Sequence, residues 1–423
     1  MPTSKEQAAV HTRIASEIQR EYFATAYELF HHFFRTYPNE PFNRPFYVET
    51  LTALGFLGNA EKLLLELVGT DPKESHFTLM LARLYKRLGA FESAEAYFKK
   101  TIATKPNDTT GIIFYGTFLS RQQRHQEAIA LFESNLNAEG DRDELYYNYG
   151  VCFESLGDYI TAKRHYRRAL QFDNSFKTAS LALDDLDMAT RISNWAELNL
   201  SGNIPPDDWP DFFHEISESE TANDVSDDDV PAGDLKPQLM KLITQAASCK
   251  RRVSSCVELI KVYKKLFGEN PGLNYRDAIQ MSRLMNSKKA IHILRAIDFP
   301  NGHQNMVNTS LARAYEELGE FKSANDYYHR AIADGNFWAY KAFGTFLRQT
   351  GRLIEARQIF EKGISFAPSP DPELELGLAD CLRSLREYDL AALRYRTAIT
   401  LAPKCDAALI GLADVIAAKE LKA

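Results

Sequence analysis

The chain repeats itself with a 34-residue period, and a period of that length leaves few folds open. Residues 75–108, SHFTLMLARLYKRLGAFESAEAYFKKTIATKPND, align without a gap on residues 143–176, DELYYNYGVCFESLGDYITAKRHYRRALQFDNSF, two periods further on. Ala82 stands over Gly150, Tyr85 over Phe153 and Leu88-Gly89 over Leu156-Gly157. Phe91 stands over Tyr159, Ala94 over Ala162 and Phe98 over Tyr166. Apolar residues recur at three- and four-residue spacing in both halves of each repeat, the signature of two amphipathic helices. Small residues at repeat positions 8 and 20 let the helices approach, and large ones at 11 and 24 fill the space beside them. Gly89 and Gly157 supply the left-handed backbone that ends a first helix, and Pro106 stops a second.

A small residue at position 8, an aromatic at 11, Ala at 20, an aromatic at 24 and Pro at 32 resemble the tetratricopeptide repeat (TPR). The same register covers 41–74, through Leu54-Gly55, Ala60, Leu64 and Pro72, and 109–142, through Gly116, Ala128 and Phe132. In 7–40 only Ala26, Phe30 and Pro38 fit well. The resemblance implies an all-α solenoid of helix hairpins. Five repeats end at 176, and 177–190, with Asp184, Asp185 and Asp187, reads as a solvated capping helix. A second array follows: 305–336 carries Ala312, Tyr315, Leu318-Gly319, Phe321, Ala324 and Tyr328. The next unit, 337–371, carries Gly344, Leu347, Gly351, Ala356, Phe360 and Pro368. The unit 372–405 carries Ala379, Leu382, Tyr388, Ala391, Tyr395, Ala398 and Pro403, and 406–423 reads as a closing helix. Residues 238–271 and 272–304 are helical by periodicity but degenerate. The expected organisation is therefore an N-terminal array at 7–190, a linker at 191–236, degenerate helical repeats at 237–304 and a C-terminal array at 305–423.

The linker breaks the period. Prolines 205, 206, 210 and 231 forbid a continuous helix there. Residues 207–234 hold eleven acids and no Lys or Arg, so setting them aside moves the formal charge from −7 to +4. Solvated linker is one reading of this composition. Trp209, Phe212, Phe213 and Ile216, bulky residues among acids, support another: a docking segment that folds back as a built-in ligand or engages a separate partner. A basic stretch follows, with Lys236, Lys241, Lys250, Arg251, Arg252, Lys261, Lys264 and Lys265 against the single acid Glu258. A solvated helix face, pairing with 207–234 and nucleic-acid contact remain open for it, the last disfavoured by the acidic neighbour.

The resemblance further implies that positions 2, 5, 9 and 12 of each first helix line a concave groove. On this sequence that places His76, Leu79, Arg83 and Lys86 in one row, Ile113 and Ser120 in the next, and Glu144, Tyr147 and Glu154 in a third, with Arg87 and Arg121 at the rim. The C-terminal array would offer Trp338, Lys341 and Arg348, then Leu376, Asp380 and Arg383. Cations beside apolar anchors suit an acidic peptide. The carboxylate clamp of chaperone-tail binders is missing: Asn148 stands at position 6, but Ile113, Thr117, Thr178 and Ala182 occupy the positions its cationic and amide partners need.

Enzymatic signatures are absent, with no G-x-x-x-x-G-K-[ST], H-E-x-x-H, G-x-S-x-G or strand-opening G-x-G-x-x-G. His31 and His32 are adjacent and so point apart on a helix, and His165 falls at a packing position. Cys152 and Cys381 both sit at repeat position 10, where a small apolar side chain packs. Together with Cys249, Cys256 and Cys405 they are odd in number and unpaired in spacing, which suits reduced, cytoplasmic thiols. The first 20 residues lack an apolar secretory core, and no apolar run reaches about 18 residues. The expectation is a non-enzymatic protein-binding scaffold with no cofactor or metal and no membrane span. Its protein partner is unidentified, and homo-oligomerisation stays open. The competing readings are a helical-repeat RNA binder and a cryptic catalytic site within 191–304. The near-neutral arrays count against the first and the small room against the second.

Overall fold

In the computed structural model, residues 4–37, 44–198, 234–299 and 304–422 are described. Every regular segment among them is helical. In chain order these are α1 (Ser4–Gln19), α2 (Phe23–Thr36), α3 (Arg44–Ala53), α4 (Leu57–Thr70), α5 (Ser75–Leu88), α6 (Phe91–Thr104), α7 (Thr109–Arg121), α8 (His125–Glu133), α9 (Arg142–Leu156), α10 (Tyr159–Phe172) and α11 (Lys177–Leu198). Beyond residue 233 come α12 (Leu235–Ser248), α13 (Val253–Phe267), α14 (Pro271–Arg283), α15 (Ser287–Arg295), α16 (Gln304–Leu318), α17 (Phe321–Ala333), α18 (Phe337–Gln349), α19 (Leu353–Phe366), α20 (Pro372–Ser384), α21 (Tyr388–Leu401) and α22 (Asp406–Lys422). The fold is the all-α solenoid of helix hairpins that the period predicts.

The hairpins form for the reasons legible in the repeat. Asp108, Asn336 and Asp371 cap the first turns of α7, α18 and α20 through their side-chain oxygens. Gly89, at φ +77°, ends α5 in the left-handed region. Gly116 is where the first helix comes down on the second: a Cβ there would lie 2.2 Å from the Phe132 ring. Tyr166, Tyr328 and Tyr395, with Phe98, Phe132 and Phe360, are the large fully buried side chains that fill position 24.

Two compact units result, and the first is assembled from two distant stretches of sequence. The first comprises residues 1–104 and 325–423, the second residues 105–324. They cut across the arrays that the period outlines. In the first unit, α22 lies alongside α2 and runs in the same direction: Thr25 meets Asp414, and one turn and more along, His32 Nε2 is 2.8 Å from the carbonyl oxygen of Leu421. In the second unit, α11 lies against α12 and α13, with Met188 and Ile192 buried among Leu239, Ile243, Leu259 and Ile260.

One expectation needs correction here. Of the three acids in the capping helix, Asp185 is not solvated: it is 3 % exposed. Its carboxylate accepts hydrogen bonds from the backbone N–H groups of Ser254 (2.8 Å) and Ser255 (3.1 Å) and from the Ser255 hydroxyl. It is the N-terminal anchor of α13, where donors left over by the helix and the positive end of its dipole favour an anion. The helix also continues past 190, to Leu198. The docking segment Trp209, Phe212, Phe213 and Ile216 lies outside the described residues.

Candidate protein-interaction surface

The groove positions fall into three groups. Leu79 and Ile113 are buried, packed between helices, and so present no surface to a ligand. This corrects their assignment: on an amphipathic helix in a stack, position 5 of these repeats turns toward the neighbouring hairpin. A second group is engaged within its own unit. Arg87 donates through Nη1 to the carbonyl oxygen of Thr52 (2.6 Å) and through Nε to that of Gln349, tying the α3–α4 turn to the end of α18. Burial, with Arg348 nearby, lowers its pKa to about 10. The same two turns touch at their glycines, where a Cβ on Gly351 would lie 3.1 Å from the carbonyl oxygen of Gly55. In the second unit Gln123 donates to the carbonyl oxygen of Met285, again joining two interhelical turns.

Arg383 has a side chain only 12 % exposed, held between Asp414 (3.3 Å) and Asp380 (3.5 Å). It is thus a structural cation, not a groove residue. Arg348 pairs with Asp380 at 3.6 Å, and Lys341 with Glu373. Tyr147 is part-buried and stacks on Tyr166 at 5.4 Å, with Phe176 edge-on at the same distance. Burial, then the Glu154 charge, raises its pKa to about 12. Arg121 is exposed and near enough to Glu317 to oppose the burial that raises that carboxyl's pKa. Arg83 is exposed and Lys86 part-buried on α5.

Trp338 stands apart. Its side chain is 63 % exposed at the first turn of α18, while Asn336 caps the backbone beneath it. Lys341 lies one turn further along the same face, and Phe337 meets the indole edge at 5.5 Å. Phe366, 69 % exposed at the end of α19, stacks on Tyr340 of α18 at 6.0 Å. Trp338 is the large apolar member of the candidate set that the fold leaves in solvent, and aromatic residues of this kind anchor interfaces.

Sequence reasoning missed a cluster of buried charge in each unit. In the first, Asp414 is fully buried and accepts from the N–H groups of Ala24 (3.0 Å) and Thr25 (2.8 Å) and from the Thr25 hydroxyl (2.8 Å). One turn along α2, Glu28, 3 % exposed, takes a forked pair of hydrogen bonds from Arg386 (2.9 and 2.8 Å) and one from the Tyr388 hydroxyl (2.6 Å). In the second, Glu258 accepts from the Tyr159 hydroxyl (3.0 Å) and pairs with Lys261 (2.7 Å), one turn along α13 from the Ser254 and Ser255 that hold Asp185. Glu154 accepts from the Ser254 hydroxyl (2.7 Å) and from that of Tyr166. Desolvation raises the Glu154 pKa to about 7, with the Asp185 charge adding and the two hydroxyls opposing.

The five cysteines are all free, four of them buried; burial lifts the Cys152 thiol to about 11 and those of Cys256 and Cys381 to about 12. Among the described residues no group of His, Cys, Asp and Glu is disposed to hold a metal, and no helix is long and apolar enough to cross a membrane.

Such hairpins, with this packing at positions 8, 20 and 24, define a helical-repeat class of protein. Comparison with known proteins gives the class its family. Tetratricopeptide-repeat profiles match residues 143–176 and 50–109, which supports a tetratricopeptide-repeat protein of no particular subfamily. It is 29 % identical over 115 residues to tetratricopeptide repeat protein 16 of Macaca fascicularis, across 24 % of this chain and 13 % of that protein. It is 27 % identical over 153 residues to the human N-alpha-acetyltransferase 25, NatB auxiliary subunit, across 34 % of this chain and 16 % of that one. The chain therefore spans a small fraction of these relatives. Among solved structures, yeast Tom70 is similar over all of this chain and 97 % of its own, at 14 % identity and a TM-score of 0.43. Cut9, in the Cut9–Hcn1 hetero-tetramer of the APC/C, is similar over 92 % of each chain, at 13 % identity and a TM-score of 0.35. The repeats support a protein-interaction scaffold in general.

Proposed function

We propose that this scaffold binds an acidic partner segment carrying an aromatic anchor, on the α18 face that begins with Trp338. The observation that carries the reading is the exposure of Trp338 at the first turn of α18, with Lys341, paired with Glu373, one turn away. An indole supplies apolar area at small entropic cost, and an acidic partner would share Lys341 with Glu373. Arg83 and Lys86 on α5 remain candidate contacts. The role is non-catalytic. The buried, high-pKa thiols are inert, and free cysteines fit a cytoplasmic setting.

The acidic, aromatic segment Trp209–Ile216 has the composition such a face would select. In this proposal it is a ligand motif, taken by a helical-repeat groove of its own chain or of a partner. The sequence division at 7–190, 191–236, 237–304 and 305–423, with the linker narrowed by α11 running to Leu198 and α12 starting at Leu235, then separates groove-bearing arrays from the motif between them.

The test uses a labelled peptide of residues 205–220 and the chain lacking 205–232, followed by fluorescence polarisation. Saturable binding that weakens about tenfold or more in Trp338→Ala, and falls with added salt, is the expected result. Equal affinity of wild type and Trp338→Ala, or no binding, would overturn the reading. Retention of RNA alone, lost in high salt, would favour the nucleic-acid alternative.

A further inference from the structure

The two buried clusters are one device built twice. Asp185 and Asp414 lie 229 residues apart on the two closing helices, and so do Tyr159 and Tyr388 on the helices before them. Thr25 and Ser255, and Glu28 and Glu258, lie 230 apart. Each acceptor helix opens on the same spacing, Thr25-Ala26-Tyr27-Glu28 in α2 and Ser255-Cys256-Val257-Glu258 in α13. In each, the closing helix's Asp takes two backbone N–H groups and the Thr or Ser hydroxyl, and the preceding helix's Tyr donates to the acceptor's Glu. The offset runs on through the repeats, pairing Ala82 with Ala312, Tyr85 with Tyr315, Cys152 with Cys381 and Tyr166 with Tyr395.

We infer that the chain is a pair of equivalent halves, residues 4–198 and 234–422, that grip each other reciprocally. The closing helix of each half carries a docking site for a helix of the other half that opens on Ser/Thr-x-x-Glu. Reciprocal use of one patch is how two-fold dimers close; here both copies are in one chain, and each grip is complete within one compact unit. The peptide through 199–233 is then dispensable for keeping the halves paired.

The sites are alike but not interchangeable. Where the α22 site has Arg383 and Arg386, the α11 site has Glu154 and Gly157 at the same offset. Ser254, which donates to Glu154, corresponds to Ala24 in α2. Placing α2 on the α11 site would leave Glu154 without the Ser254 hydroxyl and Glu28 without its arginine, a penalty that fixes which helix docks where.

A protease site introduced within 205–232 of the full chain, cut to completion, tests this. The nicked protein is diluted stepwise and sized by chromatography with light scattering. The two fragments are expected to co-elute at the mass of the uncut chain. In Asp185→Asn with Asp414→Asn they should separate at about a hundredfold higher concentration or more, since each substitution weakens charge-assisted hydrogen bonds by roughly tenfold or more. Asp184→Asn, on the exposed face of the same helix, should behave as wild type. Hydrogen exchange of the uncut double variant should quicken at the starts of α2 and α13, which separates lost docking from general misfolding. If the double variant loses its helical dichroism, Glu28→Gln with Glu258→Gln takes its place under the same readings. Separation of the nicked wild type at micromolar concentration, or a variant that holds as tightly as wild type, would overturn the inference.

Discussion

Glu154 shows how a single position changes character with its surroundings. Its counterpart in the other half is Arg383, a cation among Asp380 and Asp414, whereas Glu154 is an acid beside buried Asp185. A carboxyl whose pKa rises to about 7 on folding holds a proton that the unfolded chain gives up near pH 4.5. Its contribution to stability is present below about pH 4.5, falls as pH rises, and is lost above about pH 7. Urea midpoints should therefore decline across that window, and Glu154→Gln should flatten the decline and raise the midpoint at pH 8, by roughly 1–3 kcal/mol in stability. Gly116 is a test of packing alone. Gly116→Ala drives a methyl into the Phe132 ring and should cost about 2–3 kcal/mol, read from the same denaturation curves. Positions such as Gly116 were legible in the sequence because steric need and repeat register coincide. Asp185 was not: its partners Ser254 and Ser255 are some 70 residues away, and an acid on a terminal helix carries the same local pattern whether solvated or buried. The signal that reveals it is the offset between the halves, which sets Asp185 over Asp414 and Thr25-x-x-Glu28 over Ser255-x-x-Glu258.

At the scale of elements, the closing helices α11 and α22 do more than end an array. Each exposes an inward Asp to the donors at the start of another helix, where the macrodipole and the unpaired N–H groups act together. Arg386, in the turn before α21, completes the α22 site. Arg386→Ala leaves Glu28 buried with only the Tyr388 hydroxyl, and its expected cost is roughly 2–3 kcal/mol, discounted because the arginine is itself one-third exposed. Amide exchange should report the loss first along α2. The degeneracy of 238–271 has the same origin. α13 is selected for docking through Ser255 and Glu258 and for the core around Leu259 and Ile260, so the repeat consensus is a poor guide to it. The groove positions were only partly legible for a related reason. Family geometry says which positions turn inward, but not that Arg87 reaches the carbonyls of Thr52 and Gln349, or that Arg383 is claimed by two acids.

For the molecule as a whole, the period predicts the fold class and the hairpin sequence, while the compact units follow from contacts between distant stretches that no local pattern records. Because each unit has its own buried cluster, damage should stay local. Asp185→Asn should quicken exchange in α11, α12 and α13 and leave α2 and α22 at wild-type rates, as expected where repeats contact mainly their neighbours. The scaffold reading rests on the α18 face, and a photoreactive residue in place of Trp338 tests it most directly. The chain lacking 205–232 would be irradiated with the peptide of residues 205–220 and the adducts mapped by mass spectrometry, with the same photoreactive residue at Ile160, 72 % exposed, as control. The account predicts a peptide adduct at 338 that unlabelled peptide competes away, and none at 160. Equal labelling at both positions, or none at 338, would contradict it.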